Sequence, residues 1–313
     1  MNEICTTVIT PVFNGAGFIS QTIESVLTMT DNSSTEYIVI NDGSTDDTSK
    51  ILNTFKNRIT LIEQENAGEA AAINKGLDLA RGKYILVVSA DDPMCSKLLL
   101  HEAVRIMERN QRLVCVYPDW TMIDKDGLQI KNMEVKDFSL EELIGKFNCL
   151  VGPGGVFRRS SALNIGGRRS IYKFVSDYDF WLRLSTQGNF YHLEGFHAQW
   201  RFHEESTSVK SRSLQMANER VSVIANFLAE FPQDKNLARR ALSSSYYYAA
   251  LLAYFDRQVP GRRFMAKALL ISPKNIRDFD FRIVLFLLGL PLTRFVMPLI
   301  KKFGLFKRLR SAE

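Results

Sequence analysis

Four short apolar runs, each ended by a turn and separated from the next by a stretch of helical periodicity, restrict the fold of this chain more than any other feature. Thr6 to Val12 is β-rich and almost uninterrupted, and Tyr37–Ile40, Ile59–Glu63 and Tyr84–Val88 follow at similar intervals. Between them, Phe18, Ile19, Ile23, Val26 and Leu27 recur at helical spacing, Thr45 to Phe55 reads as a polar helix, and Ala70 to Ala80 as an Ala-rich helix stopped by Gly82. Strands and helices alternating in this way build βαβ units, so the sequence predicts an α/β fold with a mainly parallel central sheet flanked by helices. Ligands of such sheets bind at the carboxyl ends of the strands.

Beyond Leu113–Tyr117 the pattern loosens. Asp126-Gly127 suggests a hairpin, Asn148 to Val156 is Gly-rich, Gly166-Gly167 marks a turn, and Tyr178 to Leu184 reads as a short helix closed near Gly188-Asn189. From about Leu214 only helical patterns remain, Val221, Ile224, Phe227 and Leu228 among them. We therefore expect one domain over residues 1–210 and a helical C-terminal region over 211–313. The hydrophobic fraction of 46% and the charged fraction of 24% suit a chain with a real core and exclude dominant disorder. The net charge of +6 is unevenly placed: residues 261–313 hold 12 Lys/Arg against 3 Asp/Glu, leaving a net −3 for the rest. A basic, apolar C-terminal region points to an anionic membrane surface, and no nucleic-acid partner is expected. Cys5, Cys95, Cys115 and Cys149 form no CxxC pair, so neither a disulfide framework nor a zinc site is read. No signal peptide is read at the start, and a reducing cytoplasm is expected.

Three acidic sites fall where strands or helices begin or end. Asp42 follows the second strand in Asn41-Asp42-Gly43-Ser44-Thr45-Asp46-Asp47. It either accepts hydrogen bonds from a nucleotide base or ribose, or serves with Ser44 to form the turn and cap the next helix. Asp91 and Asp92 end the strand Tyr84–Val88 before Pro93. Hard divalent cations take carboxylate and phosphate oxygens, so this pair suits a metal–diphosphate site; the other reading is an acidic turn. In Val175-Ser176-Asp177-Tyr178-Asp179, Ser176 and Asp179 match a helix-capping pattern, and Asp177 is left to project into a cleft as a general base. Gly15-Ala16-Gly17 imitates the start of a dinucleotide-binding fingerprint, but Ser20 stands where the third Gly belongs.

With these residues assembled, the chain from about Thr6 to Ser208 resembles glycosyltransferase family 2. Thr10-Pro11-Val12-Phe13-Asn14 is similar to the family's opening nucleotide-binding segment, and Asn41 to Asp46 to its nucleotide-contacting turn. Asn66-Ala67-Gly68 through Ala72-Ile73-Asn74-Lys75-Gly76 matches the next block, and Ser89-Ala90-Asp91-Asp92 resembles the DxD strand end. Gly166-Gly167 with Asp177 to Leu184 is similar to the segment carrying the base, and Trp200-Arg201-Phe202-His203 with Ser206 and Ser208 to the segment that closes the domain. The chain departs from the pattern at Ser89, which replaces the first acid of DxD, and at Ile73, where many members have Arg. A phosphate or base contact is therefore either missing or supplied elsewhere, for example by Arg201 or Lys75.

The resemblance implies a GT-A fold, Rossmann-like with a C-terminal helical extension, and an inverting glycosyltransferase whose donor is a nucleoside-diphosphate sugar, UDP first among them. It implies donor contacts from Thr10, Pro11, Val12, Phe13, Asn14, Asp42, Gly43, Ser44, Asn66, Gly68, Asn74, Lys75, Ser89, Ala90, Asp91 and Arg201. Mg²⁺ or Mn²⁺ would be held by Asp91 with Asp92 and His203, and Asp177 would be the catalytic base; His203 reads equally well as a structural residue. The acceptor implied is a glycan or polyprenyl-linked sugar of bacterial surface polysaccharide synthesis. Gly152-Pro153-Gly154-Gly155 either lets an acceptor approach the backbone or is a plain loop, and Trp181 is placed in the core. Phe281 to Ile300 approaches a membrane span in length but contains Pro291, Arg294 and Pro298, so residues 262–310 are expected to lie on the inner face of the cell membrane. The rival arrangement packs them on the catalytic domain or on a second copy in a homodimer. A sugar nucleotidyltransferase and a non-catalytic nucleotide-binding member of the fold are the competing functions.

Overall fold

The computed structural model describes residues 4–30, 34–146, 149–203, 213–254 and 256–273. Strands β1 (Thr6–Val12), β2 (Thr35–Asp42), β3 (Thr60–Gln64) and β4 (Tyr84–Val87) alternate with helices α1 (Ile19–Met29), α2 (Thr48–Thr54) and α3 (Glu69–Leu79). Then come α4 (Leu98–Arg109), β5 (Leu113–Ile123), β6 (Gln129–Met133), α5 (Leu140–Lys146), β7 (Val156–Arg158), α6 (Arg159–Asn164), α7 (Ser176–Leu184) and β8 (Asn189–Arg201). The strands form one sheet in the order β3-β2-β1-β4-β7-β5-β6, with β8 also paired to β5. Pairs β1–β2, β1–β4, β2–β3 and β5–β8 are parallel, whereas β7 and β6 run antiparallel to their neighbours. The sheet is thus parallel where the βαβ rhythm is clear in the sequence and mixed where it loosens.

Strand periodicity explains why β1 and β4 carry apolar residues on both faces. Successive side chains point to opposite faces, and both faces are covered. Val8 and Leu86 join a core with Ile19, Ile23 and Val26 of α1 and Leu99, Ala103 and Met107 of α4. Their neighbours Ile9 and Ile85 join a second core with Ala72, Ile73 and Leu77 of α3 and Phe180, Trp181 and Leu184 of α7. Trp181 is therefore a core residue, as its helical position suggests. Helix α4 and the 13-residue β8 are not anticipated by the sequence pattern. Most of β8 is only half-buried and it is broken by Gly195 at φ 110°, so it lacks the apolar run of β1. It exists because β5, some 75 residues earlier, offers it a parallel edge.

The amino ends of the parallel strands are tied by one buried carboxylate. Glu36 accepts from the Thr7 hydroxyl at 2.8 Å, from Arg81 N at 2.9 Å and from Arg81 Nε at 2.7 Å, while Gly82 N donates to Thr7 Oγ1 at 2.9 Å. Burial pushes the Glu36 carboxyl up, but the Arg81 amide, the Thr7 hydroxyl and the Arg81 guanidinium outweigh it and hold it below the ordinary value. A carboxyl depressed on folding adds stability that is complete above its unfolded pKa and is lost as pH falls through the folded one. We expect Glu36→Gln to flatten the acid limb of the urea midpoint below about pH 4.5, the unfolded carboxyl range. An acid limb identical to that of the parent would refute this role.

The chain divides into two compact units, Met1–Phe138 with Cys149–Lys210, and Ser139–Asn148 with Ser211–Glu313. Helix α5 thus goes with the helical unit, although it lies within the first 210 residues. That unit also contains α8 (Leu214–Glu230), α9 (Lys235–Leu251) and α10 (Gly261–Ile271). Its core is built from Ala217, Tyr247, Ala250, Phe264, Met265 and Ala268. Ser213 caps α8 and Asp234 caps α9, each accepting from backbone amides of the first turn. No helix among the described residues is long and apolar enough to cross a membrane. Phe281–Ile300 and the basic residues after it lie outside the described residues, as do Ser206 and Ser208.

Candidate active site

The turns after β1 and β2 are fastened together. Asn14, at φ 51°, donates its amide to Ser44 Oγ at 2.9 Å and accepts from Thr45 N at 2.8 Å through Oδ1. Gly15 N donates to Thr48 Oγ1 at 2.9 Å, and Ala16 N to Asp46 Oδ2 at 3.2 Å. A Cβ on Gly15 would stand 2.6 Å from Val12 Cγ2, so the turn lies over the strand end only because it has none. Thr10, Pro11 and Val12 are buried, and Thr10 Oγ1 shares a hydrogen bond with Tyr37 Oη. Phe13 and Asn14 are the exposed members of the opening segment.

Asp42 is the last residue of β2 and is 2% exposed. It accepts from Gln64 Nε2 at 2.7 Å, Ala67 N at 2.9 Å and Gly68 N at 2.8 Å. A carboxylate has about four acceptor positions, so roughly one remains for an outside donor. Capping α2 falls to Asp46 instead, whose Oδ1 accepts from Thr48 N at 3.0 Å. Asp42 sets the course of residues 64–68 and leaves Asn66, Gly68 and, along α3, Lys75 exposed. Gly43, at φ 73°, completes the turn where a Cβ would meet Asn66 N at 2.8 Å.

The two aspartates at the end of β4 separate. Asp92 is buried and turned inward, accepting from Arg201 N at 2.7 Å. Burial and the adjacent Asp91 charge push its carboxyl well above the ordinary range. Asp91, beside the half-buried Ser89 and Ala90, has a side chain 31% exposed, and its Oδ2 lies 2.9 Å from His203 Nε2. The His203 ring packs on Phe18 with centroids 4.8 Å apart, and its Nδ1 is buried without a hydrogen-bond partner. Of the three expected metal ligands, geometry thus leaves Asp91 and His203 facing one another and removes Asp92 to a supporting place.

Arg201 is not placed as a phosphate-binding residue. It is 1% exposed, and its guanidinium donates to the carbonyls of Asp91, Asp124 and Lys125 and to Gln21 Oε1. Those donors are committed to fastening β8 to the end of β4 and to the β5–β6 turn. Arg201 holds the Asp91 carbonyl from the last position of β8, and His203, two residues on, meets the Asp91 carboxylate, so Arg201 anchors the segment that brings His203 to Asp91.

Asp177 is exposed in the first turn of α7, and its Oδ1 accepts from Tyr178 N at 2.7 Å. The expected capping by Ser176 and Asp179 does not occur: Val175 is the N-cap and makes no side-chain capping bond. Asp179 instead receives Arg183 Nε at 2.8 Å and Nη2 at 2.5 Å, while Arg183 also donates to Ile165 O and Gly167 O. Asn74, expected at the donor, clasps the backbone of Arg168 with both halves of its amide, at 2.7 and 2.8 Å. Gly167, at φ 66°, permits this, since a Cβ there would stand 2.3 Å from Asn74 Oδ1. Arg168 pairs with Glu69 at the start of α3, and both Arg168 and Asp177 act electrostatically on the Cys149 thiol. A continuous set of contacts therefore links Asp42, through Gly68 and Glu69, to Arg168. Arg183, Asn74 and Phe18 are the functional supports that residue type alone does not reveal.

A model of the family described as Glycosyl transferase family 2 matches residues 7–173, more than half of the chain. The chain belongs to glycosyl transferase family 2. Among relatives of this family 2 glycosyltransferase, the chondroitin synthase of Escherichia coli is 34% identical over 66% of this chain and 30% of that protein. The hyaluronan synthase of Pasteurella multocida is 31% identical over 68% of this chain and 22% of its own. The chain thus spans less than a third of either synthase. An uncharacterized glycosyltransferase of Rickettsia prowazekii is 26% identical over 79% of this chain and 78% of the relative. The fold matches TarS from S. aureus in complex with UDP-GlcNAc at a TM-score of 0.68 and 15% identity, covering 87% of this chain and 83% of the other. It matches the mannosyltransferase PcManGT of Pyrobaculum calidifontis, in complex with GDP-Man and Mn²⁺, at 0.63 and 15%, covering 100% and 85%. The architecture is the GT-A fold. Family membership also disposes of the nucleotidyltransferase reading, for which the 13–17 turn offers glycines but no basic residue.

Proposed function

We propose that this glycosyltransferase moves a sugar, with inversion, from a nucleoside-diphosphate sugar to a hydroxyl of a glycan or polyprenyl-linked acceptor in bacterial surface polysaccharide assembly. The observation that carries the reading is the meeting of Asp91 and His203, 112 positions apart in the chain, at the carboxyl end of β4. A UDP-sugar is the first donor to test, supported by the TarS complex; the GDP-Man complex of PcManGT supports the donor class more broadly.

Mg²⁺ or Mn²⁺ fits the Asp91–His203 pair. One carboxylate and one imidazole, with no third acidic, His or Cys ligand grouped beside them among the described residues, suit a cation that takes its other ligands from diphosphate and water. Such a cation offsets charge on a departing diphosphate, an effect of several kcal/mol. The chain's own groups do the rest. Asn14, Phe13, Asn66, Lys75 and the last free acceptor position of Asp42 hold the nucleotide. Asp177 takes the proton from the acceptor hydroxyl as its oxygen attacks the anomeric carbon opposite the leaving group. Residues 262–310 keep the enzyme at the inner face of the membrane, where a lipid-linked acceptor would be met.

A panel of nucleotide sugars tests the reading by nucleoside-diphosphate release, with and without Mn²⁺. Asp91→Asn should abolish the Mn²⁺-dependent rise in melting temperature while leaving the metal-free melting temperature within about 2 °C, as for a half-exposed surface change. Release of pyrophosphate, or nucleotide binding without turnover by any donor, would overturn the proposal.

A further inference from the structure

The face of β8 opposite Arg201 carries a feature that the donor chemistry leaves unused. Trp200 alternates with Arg201 along β8 and points the other way, and Phe202, just past the strand, lies against its ring. Trp120 of β5 joins Trp200 on that face, its partner on β8 being Ala198 while that of Met122 is Trp200. Trp120 meets Trp200 edge-on at 6.0 Å between centroids, and Trp200 meets Phe202 at 6.1 Å. These rings are not fully covered: Phe202 is 43% exposed, and both tryptophans are half-buried. Neither Trp120 nor Trp200 donates its indole N–H to any partner among the described residues.

One loop joins this cluster to the base. Gly152 lies under Trp120, where a Cβ would stand 2.6 Å from Nε1, and Gly155 lies against the Trp181 ring of α7. Cys149, at the start of the same loop, is in the field of Asp177. Gly152 and Gly155 thus make room for the chain's own aromatic rings, and Gly154, at φ 85°, for Ala198 and Pro118. The cluster and α7, the helix that carries Asp177, thus both pack on this loop, whereas Asp91 and His203 meet at the end of β4.

We propose that Trp120, Trp200 and Phe202 form a platform for the acceptor glycan, stacking its pyranose rings and donating to sugar hydroxyls the indole N–H groups that have no partner among the described residues. This rests on the transferase reading above. Sugar rings present flat patches of C–H bonds edged by hydroxyls, and amphipathic aromatic rings with an unpaired donor match both parts. A purely apolar protein partner would leave the two indole donors unsatisfied, which disfavours it. Phe202 is bonded directly to His203, so a ring stacked there sits at the border of the donor site.

The test uses the full chain on an oligosaccharide array, then indole fluorescence titrations with the best-binding glycan, for the parent, Trp200→Ala, Phe202→Ala and Trp200→Phe. The Ala variants should weaken glycan binding roughly ten-fold or more, as expected for truncating aromatic anchors, and Trp200→Phe should recover part of the loss. The thermal shift produced by the donor nucleotide should stay unchanged in all three. Glycan binding retained by both Ala variants, equal loss of donor and glycan binding, or no binding of any glycan by a parent that turns over donor would overturn the platform alone. A parent that turns over no donor overturns the transferase reading and the platform with it.

Discussion

Asp177→Asn should lower the rate of sugar transfer by about 10²–10⁴-fold while leaving donor binding intact, the range typical for losing a positioned general base. The amide keeps the shape of the carboxylate and its contact to Tyr178 N, which spans 2.7 Å. Asp177 is exposed, so folding should hardly change beyond the roughly 0.3–1 kcal/mol that an anion contributes at a helix N-terminus. Transfer rates at saturating donor, paired with donor affinity from thermal shift, separate the two effects. A variant within a few-fold of the parent rate would remove Asp177 from the chemistry and direct attention to another group near the Cys149 loop.

The second large effect is on stability. Arg183 and Asp179 are each 2% exposed, and the guanidinium satisfies one buried carboxylate and the carbonyls of Ile165 and Gly167. Replacing it with Met would leave Asp179 buried without the guanidinium that grips it at 2.5–2.8 Å, with Arg169 at 3.7 Å among its remaining partners. Breaking one side of a buried ion pair typically costs about 3–5 kcal/mol, a large part of the roughly 5–15 kcal/mol available to a domain. Urea unfolding of Arg183→Met should show that loss, and Arg183→Lys should recover less than half of it, because an ammonium cannot fork between the carboxylate and both carbonyls. The double variant Arg183→Met with Asp179→Leu should be less destabilised than the sum of its singles, since no orphaned charge remains. A loss below about 1 kcal/mol for Arg183→Met would mean the pair is dispensable.

How much of this is legible in the sequence depends on whether the signal is local. The strands β1 to β4 and helices α1 and α3 can be read because both faces of β1 and β4 are buried, which demands β-branched and apolar residues on both faces. Asp42 and Asp91 can be assigned to strand ends for the same reason: polar residues begin where the run of buried apolar ones stops. The hairpin at Asp126-Gly127 is legible from turn chemistry, with Gly127 at φ 87°. By contrast, β8 depends on an edge supplied from far away, and its half-buried residues leave no clear period.

The same division runs through the candidate site. Residue type and order are enough to mark an acidic strand end, a helix-borne aspartate and an Arg-x-His segment as parts of one enzyme. They cannot say which of Asp91 and Asp92 faces outward, because adjacent residues at a strand end are equivalent until a partner approaches one of them. They assign Arg201 to phosphate and Asn74 to the donor, where tertiary structure commits the first to backbone carbonyls and the second to the Arg168 loop.

By itself, the order of apolar runs and turns determined the α/β class, the parallel half of the sheet and the edge at which ligands are received. Packing decided which side chains remain free at that edge, because a buried polar group must find a partner within reach. Whether a given Asp, Arg or Asn is left for a substrate depends on what the distant parts of the chain have already claimed.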